Sequence, residues 1–508
     1  MRIIKAVFSH MFVVGLLIIA QILFLVVAIE KLNEYYAALN ILLGILAALI
    51  ALKVMNVDMN PDFKLPWLVL ILTIPLIGVV VYFLFSKNVL TKKQVTKLNS
   101  IREKNKPYIT ISDEEDKENI KNLGELYGQN KYLDNVSFSK GFYNTKTTYF
   151  KIGEEFFDDL VAELKKAKKT IFMEYFIIEE GKMFNTIIDI LAEKAKSGVD
   201  VRLIYDDLGS ASKVKTGYYK KLQKLGIKCK PFGPFIPIIS GIHNNRDHRK
   251  ITVIDSVIGY MGGINLADEY INETHPFGVW KDSAIKLEGQ GVTNLTLLFL
   301  NAYNYTVENN DDYSKYLDID FEKFEGQGFV HPFGDGPKPA DNEPIGESVY
   351  MNIINNAKKY VYITTPYLII DFNLITALRN AALRDVDVRI ITPHVPDKKI
   401  ILNITRSYYK DLLNAGVKIY EFEPGFIHAK NFVCDDNIGV VGTINLDYRS
   451  LVHHYECGVL LINSPSLLDM KDDYINTLNQ CIEIPIGFKL KFFNRVLNYI
   501  LKFFTPLL

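Results

Sequence analysis

The pattern His-x-Lys-x-x-x-x-Asp occurs twice in this chain, and the two copies keep one register. The first is His248, Lys250 and Asp255; the second is His428, Lys430 and Asp435. His428 follows His248 by 180 positions, and Asn445 follows Asn265 by the same 180. Each copy runs into a glycine turn, Gly262-Gly263-Ile264-Asn265 and Gly442-Thr443-Ile444-Asn445. One copy would mean little, because these residue types meet at such spacings by chance. Two copies in equal register, with matching flanks, mean a duplicated domain.

The residue types point to phosphate chemistry. The segment after each His is β-branched and apolar and reads as a strand. Side chains at i and i+2 of a strand share a face, so His248 points with Lys250, and His428 with Lys430. A lysine offers a point charge to a phosphate oxygen, and a histidine can attack phosphorus or move protons near neutral pH. Two units face to face would place two imidazoles and two ammoniums around one phosphorus, with Lys250 and Lys430 holding the non-bridging oxygens as charge builds. Asn265 and Asn445 are candidate donors to the same oxygens. Asp255 and Asp435 complete the signature but fall off the His/Lys face by strand parity, so they read as structural, fixing the turn after the strand. An attacking imidazole needs its second nitrogen oriented by an acceptor. Asp282, 34 residues after His248, and Glu456, 28 after His428, are candidates; a surface position is the other reading of each. His243, His275, His331, His453 and His454 have no partner pattern. No dense carboxylate or Cys/His ligand cluster is visible, so the chemistry is expected to need no metal and no cofactor.

This constellation resembles the phospholipase D superfamily, whose signature is the doubled His-x-Lys-x4-Asp. The flanks are similar to those of bacterial cardiolipin synthases: Asn245-Arg246-Asp247-His248-Arg249-Lys250, Gly442 through Ser450, Phe277 through Asp282, and Thr364-Thr365-Pro366-Tyr367. The resemblance covers nearly the whole chain. It implies transfer of a phosphatidyl group between two phosphatidylglycerol molecules through a phosphohistidine, giving cardiolipin and glycerol without nucleotide. By analogy with relatives in which the first-motif histidine attacks, His248 is the expected nucleophile and His428 the proton donor. Water in place of the second lipid would give a hydrolase, and another donor or acceptor lipid would use the same residues. Acceptor choice lies in pocket shape, which the sequence does not reveal.

The N-terminus reads as a membrane region. Residues 11–29 are uncharged and long enough to cross a bilayer at ~20 residues per span. Residues 36–52 and 65–85 are two more apolar runs, the third with Pro66 and Pro75 inside it. Lys87, Lys92, Lys93, Lys97, Arg102, Lys104 and Lys106 follow against a single acid, Glu103. Positive flanks stay in the cytoplasm, so a multi-pass anchor with the catalytic part at the cytoplasmic face is expected; the resemblance implies the bacterial cell membrane. From residue 485 a basic, aromatic-rich stretch without acids suits an interfacial helix on anionic lipid; packing against the core is the other reading. Lys+Arg and Asp+Glu both number 58, so net charge names no partner. With no basic stripe and intact His/Lys pairs, a nuclease and an idle scaffold are both disfavoured. Four cysteines without C-x-x-C spacing suggest reduced thiols.

Helical and strand patterns alternate on either side of the motifs. Residues 156–168 read as helix, 170–178 as strand, 183–196 as helix and 199–205 as strand. The second half repeats this at 348–359, 360–369, 374–383 and 386–392. The fold class expected is α/β, with two tandem phospholipase D-like mixed-sheet domains in pseudo-twofold arrangement, preceded by N-terminal transmembrane helices. The expected boundaries are 1–90 for two to three transmembrane helices, 91–150 for a connector with a solvated acidic cluster at 113–116, 151–310 for the first domain, 311–344 for a linker, 345–482 for the second domain and 483–508 for the C-terminal segment.

Overall fold

Strand order carries the duplication into three dimensions. The structure, a computed structural model, describes Leu23, Val26, Val27 and residues 37–86, 92–234, 244–307, 311–319, 321, 324, 326–338, 340–341 and 343–507; of residues 37–40, 500 and 507 it describes the backbone alone. The chain divides into two units, one holding the N-terminal helices and the other residues 90–234 and 245–502.

In the larger unit the first half supplies β1 (Thr145–Phe150), β2 (Thr170–Tyr175), β3 (Asp200–Asp206), β4 (Lys228–Phe232), β5 (Ile251–Ile254), β6 (Ile258–Gly262), β7 (Val279–Lys281) and β8 (Ala284–Gly289). The second half supplies β9 (Phe329–Asp335), β10 (Tyr360–Thr364), β11 (Leu368–Ile369), β12 (Asp387–Pro393), β13 (Lys418–Phe422), β14 (Gly425–Ile427), β15 (Asn431–Cys434), β16 (Ile438–Gly442), β17 (Leu446–Asp447), β18 (Glu456–Ile462) and β19 (Cys481–Glu483). The sheets run β1-β8-β6-β5-β2-β3-β4 and β9-β18-β16-β15-β10-β12-β13, the second extended by β19. The two orders correspond strand for strand. In each, the strands joined through helices are parallel and the motif hairpin is antiparallel, which is the mixed α/β class expected.

Four boundaries differ from the expectation. Residues 360–369 are two strands, because Thr365 and Pro366 turn the chain and the Thr365 hydroxyl donates to the Tyr367 carbonyl at 2.8 Å. The stretch read as a linker, 311–344, contributes β9, which pairs with β18 along its whole length. Likewise β1 lies inside the region read as connector and pairs with β8. The apolar run at 65–85 is two helices, Pro61–Thr73 and Pro75–Phe85, since Pro75 follows an extended Ile74. Among the described residues no helix is long and apolar enough to cross a membrane. Helix Ala37–Asn56 covers the second expected span. Nearly all of the first, 11–29, lies outside the described residues. In this unit Ala47, Ile50, Val54, Trp67, Ile71 and Tyr82 form a core, while Ile41, Leu42, Leu49, Leu65 and Leu72 are exposed.

Other basic and acidic clusters find local uses. Arg102 pairs with Asp341, and Lys97 and Lys104 donate to the carbonyls of Tyr305 and Asp311. Asp113 through Asp116 fill the first turn of helix Asp113–Leu123, capped by Ser112, where carboxylates suit the helix dipole.

One core joins the halves. Phe172, Val253, Met261 and Ile285 from the first sheet share it with Val433, Val441, Val459 and Leu461 from the second. Asp255 and Asp435 end the two signatures. Each has positive φ in the motif hairpin turn. Asp255 accepts from the amides of Lys168, Lys169 and Thr170 at 2.7–2.9 Å, and Asp435 from those of Lys358, Lys359 and Tyr360 at 2.7–2.8 Å. Asp435→Ala is expected to cost about 2 kcal/mol, the loss of charge-assisted hydrogen bonds at a half-exposed turn; a shift in the denaturant midpoint measures it.

Candidate active site

The motif histidines sit in the extended lead-in to β5 and β15 rather than in the paired strands, and backbone contacts across the two halves place them. β14 pairs in parallel with β7, so that the amide of His428 donates to the carbonyl of Lys281 at 2.7 Å. In the same way Asp247 bridges Tyr455, and the amide of His248 donates to the Tyr455 carbonyl at 2.9 Å. Gly425 permits this approach, because a Cβ there would lie 2.2 Å from the Val279 carbonyl oxygen.

This pairing crosses the acids over. Asp282 follows β7 directly, so it stands beside His428, with Oδ2 at 2.6 Å from His428 Nδ1. Glu456 follows Tyr455, so it stands beside His248, with Oε1 at 2.9 Å and Oε2 at 3.0 Å from His248 Nδ1. Each half therefore orients the other half's imidazole. Thr443 and Ser450 donate their hydroxyls to Glu456, Ser450 at 2.7 Å. Gly263 stands where Thr443 stands in the other half, and a Cβ there would meet Asp282 Oδ1 at 2.2 Å.

Both lysines are buried, and each donates its ammonium to the carbonyl of its own motif histidine. Burial lowers Lys250 to about 8 and Lys430 to about 7. The Lys250 charge also lowers Lys430 and His428, which places the two motifs in one electrostatic field. A phosphodiester anion between the two would reverse that shift, since an opposite charge favours the ammonium. Burial lowers His248 to about 3 and His428 to about 4, so both imidazoles are neutral. Burial opposes ionisation of the acids, but the neighbouring His428 and Lys430 hold Asp282 below its usual range, and His248 does the same for Glu456.

Asn265 and Asn445 differ in their hydrogen bonding. Asn265 donates to the Tyr270 hydroxyl at 2.7 Å and accepts from the Ile177 amide at 3.0 Å. Asn445 is buried, and its Oδ1 has no hydrogen-bond partner. The surroundings are also unequal. Tyr270, Trp280 and Phe426 pack around His428 with ring centroids at 5.5, 5.6 and 5.8 Å. His248 has Phe176 at 4.8 Å and His454 at 5.3 Å.

His454 is the residue that sequence reasoning missed. It stands two positions before Glu456, as Trp280 stands two before Asp282, and this register was the available signal. His454 joins a cluster of possible metal ligands that the sequence does not reveal. Among the described residues His248, His454 and Glu456 have donor atoms within 4.8 Å of one another. The cluster is invisible in sequence because His248 comes from the other half.

Three buried histidines, His248, His331 and His428, have lowered pKa values. The unfolded chain binds their protons near pH 6.5, while the folded chain refuses them down to about pH 4. Stability is thus expected to fall as pH drops from 6.5 toward 4, by about 1.4 kcal/mol per pH unit for each histidine. Denaturant titrations at pH 6.5, 5.5 and 4.5 read it.

The family description "Cardiolipin synthase, PLD-like domain" matches residues 160–287 and 350–480, and "Phospholipase D-nuclease N-terminal" matches residues 42–87. The chain belongs to the cardiolipin synthase, phospholipase D-like family. Family relatives extend over most of its length. A cardiolipin synthase of Alkalihalophilus pseudofirmus is 32% identical over 88% of this chain and 90% of its own. Cardiolipin synthase 2 of Bacillus anthracis is 34% identical over 91% and 90%. An uncharacterized protein of Streptococcus mutans is 41% identical over 90% and 99%. The crystal structure of a phosphatidylserine synthase from Haemophilus influenzae superposes with a TM-score of 0.55 at 15% identity, covering 76% of this chain and all of that one, and so shares the fold.

Proposed function

We propose that this chain is a cardiolipin synthase that moves a phosphatidyl group from one phosphatidylglycerol to another through a phosphohistidine. The observation that carries the reading is the crossed pair of imidazoles, each held at Nδ1 by a buried carboxylate, beside two buried lysines. With Nδ1 engaged, each imidazole works through Nε2. On binding, the phosphodiester anion favours protonation of the neutral His428 at Nε2; His248 Nε2 then attacks phosphorus, the bond to glycerol breaks, and His428 Nε2 passes that proton to the departing oxygen. The second lipid's terminal hydroxyl then gives its proton to His428 and attacks phosphorus, and the P–N bond breaks. Lys250 and Lys430 hold the non-bridging oxygens, and the charge building there favours the proton on His428. Asn265 and Asn445 border the same oxygens. No step needs nucleotide. His428→Asn should retain a labelled phosphatidyl group and His248→Asn should not; the reverse pattern would exchange the two roles.

The site works at a membrane in this reading. The N-terminal helices expose Ile41 (67%) and Leu42 (63%), as bilayer-facing residues would be. Helix Phe492–Phe504 turns Asn494 and Asn498 toward Asn403 and leaves Phe493 (84%) and Tyr499 (72%) outward, among Lys489, Lys491 and Arg495. That arrangement suits an anionic lipid surface. The basic stretch 87–106 supports a multi-pass anchor with the catalytic halves on the cytoplasmic side.

Phosphatidylglycerol vesicles without nucleotide test the reading, with products identified by mass spectrometry. Cardiolipin and glycerol in equal amounts are expected. Phosphatidic acid alone would make the chain a hydrolase, and no product from phosphatidylglycerol or from mixtures with phosphatidylethanolamine would overturn the reading.

A further inference from the structure

We propose that His248, His454 and Glu456 form a binding site for a divalent transition-metal ion of the zinc type, and that filling it switches the enzyme off. The second half of this statement rests on His248 being a reacting imidazole, as proposed above. Glu456 Oε1 lies 2.9 Å from His248 Nδ1 and 3.5 Å from His454 Nδ1. Donors bound to one zinc ion at ~2.0–2.1 Å in a tetrahedron stand roughly 3.3 Å apart, so these separations need little adjustment. All three residues are buried. His454 Nδ1 is buried and faces Glu456 Oε1 at 3.5 Å, too far for a well-formed hydrogen bond. A buried imidazole nitrogen so weakly paired is costly unless something better takes its lone pair or its proton, and a metal ion would do so.

The chemistry of the donor set selects the ion. Two imidazoles and one carboxylate suit Zn2+, Co2+, Ni2+ or Cu2+, whereas Mg2+ and Ca2+ prefer oxygen ligands alone. The carboxylate is already oriented by the Thr443 and Ser450 hydroxyls, the kind of support that fixes a metal ligand. Glu456 and Asp282 as carboxylates balance Lys250 and Lys430 as ammoniums, so these four groups present no net charge to repel a cation. The site exists on one side only, because Trp280 occupies the register position of His454 beside His428.

Inhibition follows from the tautomer. Attack on phosphorus uses the Nε2 lone pair of His248 while Nδ1–H is held by Glu456. A metal ion bound at Nδ1 takes that lone-pair position, and the displaced proton moves to Nε2. The imidazole stays neutral, but its nucleophilic electron pair is now a N–H bond. Glu456 is drawn to the metal at the same time. No bond to phosphorus can form until the ion leaves.

The test uses the full chain in detergent, treated with chelator and then titrated. Co2+ serves as the optical probe and Zn2+ as the inhibitor, with Mg2+ as control. Visible d–d absorption from bound Co2+, bleached by Zn2+, is expected. Micromolar Zn2+ should reduce cardiolipin formation about tenfold or more, reversibly with chelator, and equal Mg2+ should not. His454→Asn and His454→Gln, each compared with its own zinc-free rate, should raise the inhibiting Zn2+ concentration by about 100-fold or more, since loss of a mere support to a ligand already costs about 10–100-fold, and should lose the Co2+ spectrum. Absence of Co2+ binding in the unmodified protein overturns the proposal, and so does unchanged Zn2+ sensitivity in both variants. A chain that binds Co2+ through His454 but makes no lipid product would keep the metal site and refute the synthase reading. One that makes cardiolipin and binds no Co2+ would do the opposite.

Discussion

Replacing either motif histidine is expected to lower cardiolipin formation by at least about 10²–10⁴-fold, with the fold intact. The expectation rests on how each imidazole is held. His248 and His428 each make one side-chain hydrogen bond, through Nδ1 to a carboxylate, and they stand at the centre where the halves meet. An asparagine in either place keeps a polar group against the acid but cannot attack phosphorus or exchange a proton. Loss of a general acid–base alone costs about 10²–10⁴-fold, and loss of the attacking group costs more. The residues act as a unit, so the double variant should be little worse than either single one. Rates from labelled phosphatidylglycerol, beside circular dichroism and thermal unfolding for folding, measure this. A variant retaining a tenth of the activity would remove its histidine from the proposed mechanism.

The second large effect concerns the crossed acids. Asp282→Asn and Glu456→Gln are each expected to slow transfer by about 10²–10⁴-fold, as when a neutral amide replaces the carboxylate that fixes a catalytic histidine's tautomer. Their phenotypes should follow the crossing rather than the sequence. Asp282 orients His428, so Asp282→Asn should behave as His428→Asn does and let the phosphatidyl group accumulate on His248. Glu456 orients His248, so Glu456→Gln should form little labelled enzyme at all. If each acid variant instead copied the loss of its own half's histidine, the crossed assignment would be wrong. Rapid quench followed by mapping of the labelled peptide separates the two patterns.

The crossing also marks where sequence reasoning stops. The 180-residue register was enough to anticipate two like sheets and a shared site, because a duplicated motif carries its strand order with it. Strand parity turns Asp255 and Asp435 off the His/Lys face, and in the structure they accept from the backbone amides of Lys169 and Lys359. Offsets of 34 and 28 residues count each acid from the histidine of its own half. They contain no sign that β7 pairs with β14, which is a contact between the two halves. His454 was passed over for the same reason, as its neighbour His248 is supplied by the opposite half. The edge strands β1 and β9 fall in stretches whose own patterns suggest a connector and a linker. Each takes its place from a partner strand of the sheet more than from its own pattern. Pro75 is the opposite case, a local signal present in the sequence that outweighs an otherwise continuous apolar run.

The stereochemical course at phosphorus tests the central claim most directly. A phosphatidylglycerol analogue made chiral at phosphorus with sulfur and isotopic oxygen would be converted to the cardiolipin analogue, and its configuration read by phosphorus NMR. Two successive in-line displacements, one by a histidine and one by the second lipid, give net retention, and that is the result expected. Inversion would mean a single direct displacement by the acceptor hydroxyl, and the phosphohistidine at the paired site would have to be abandoned.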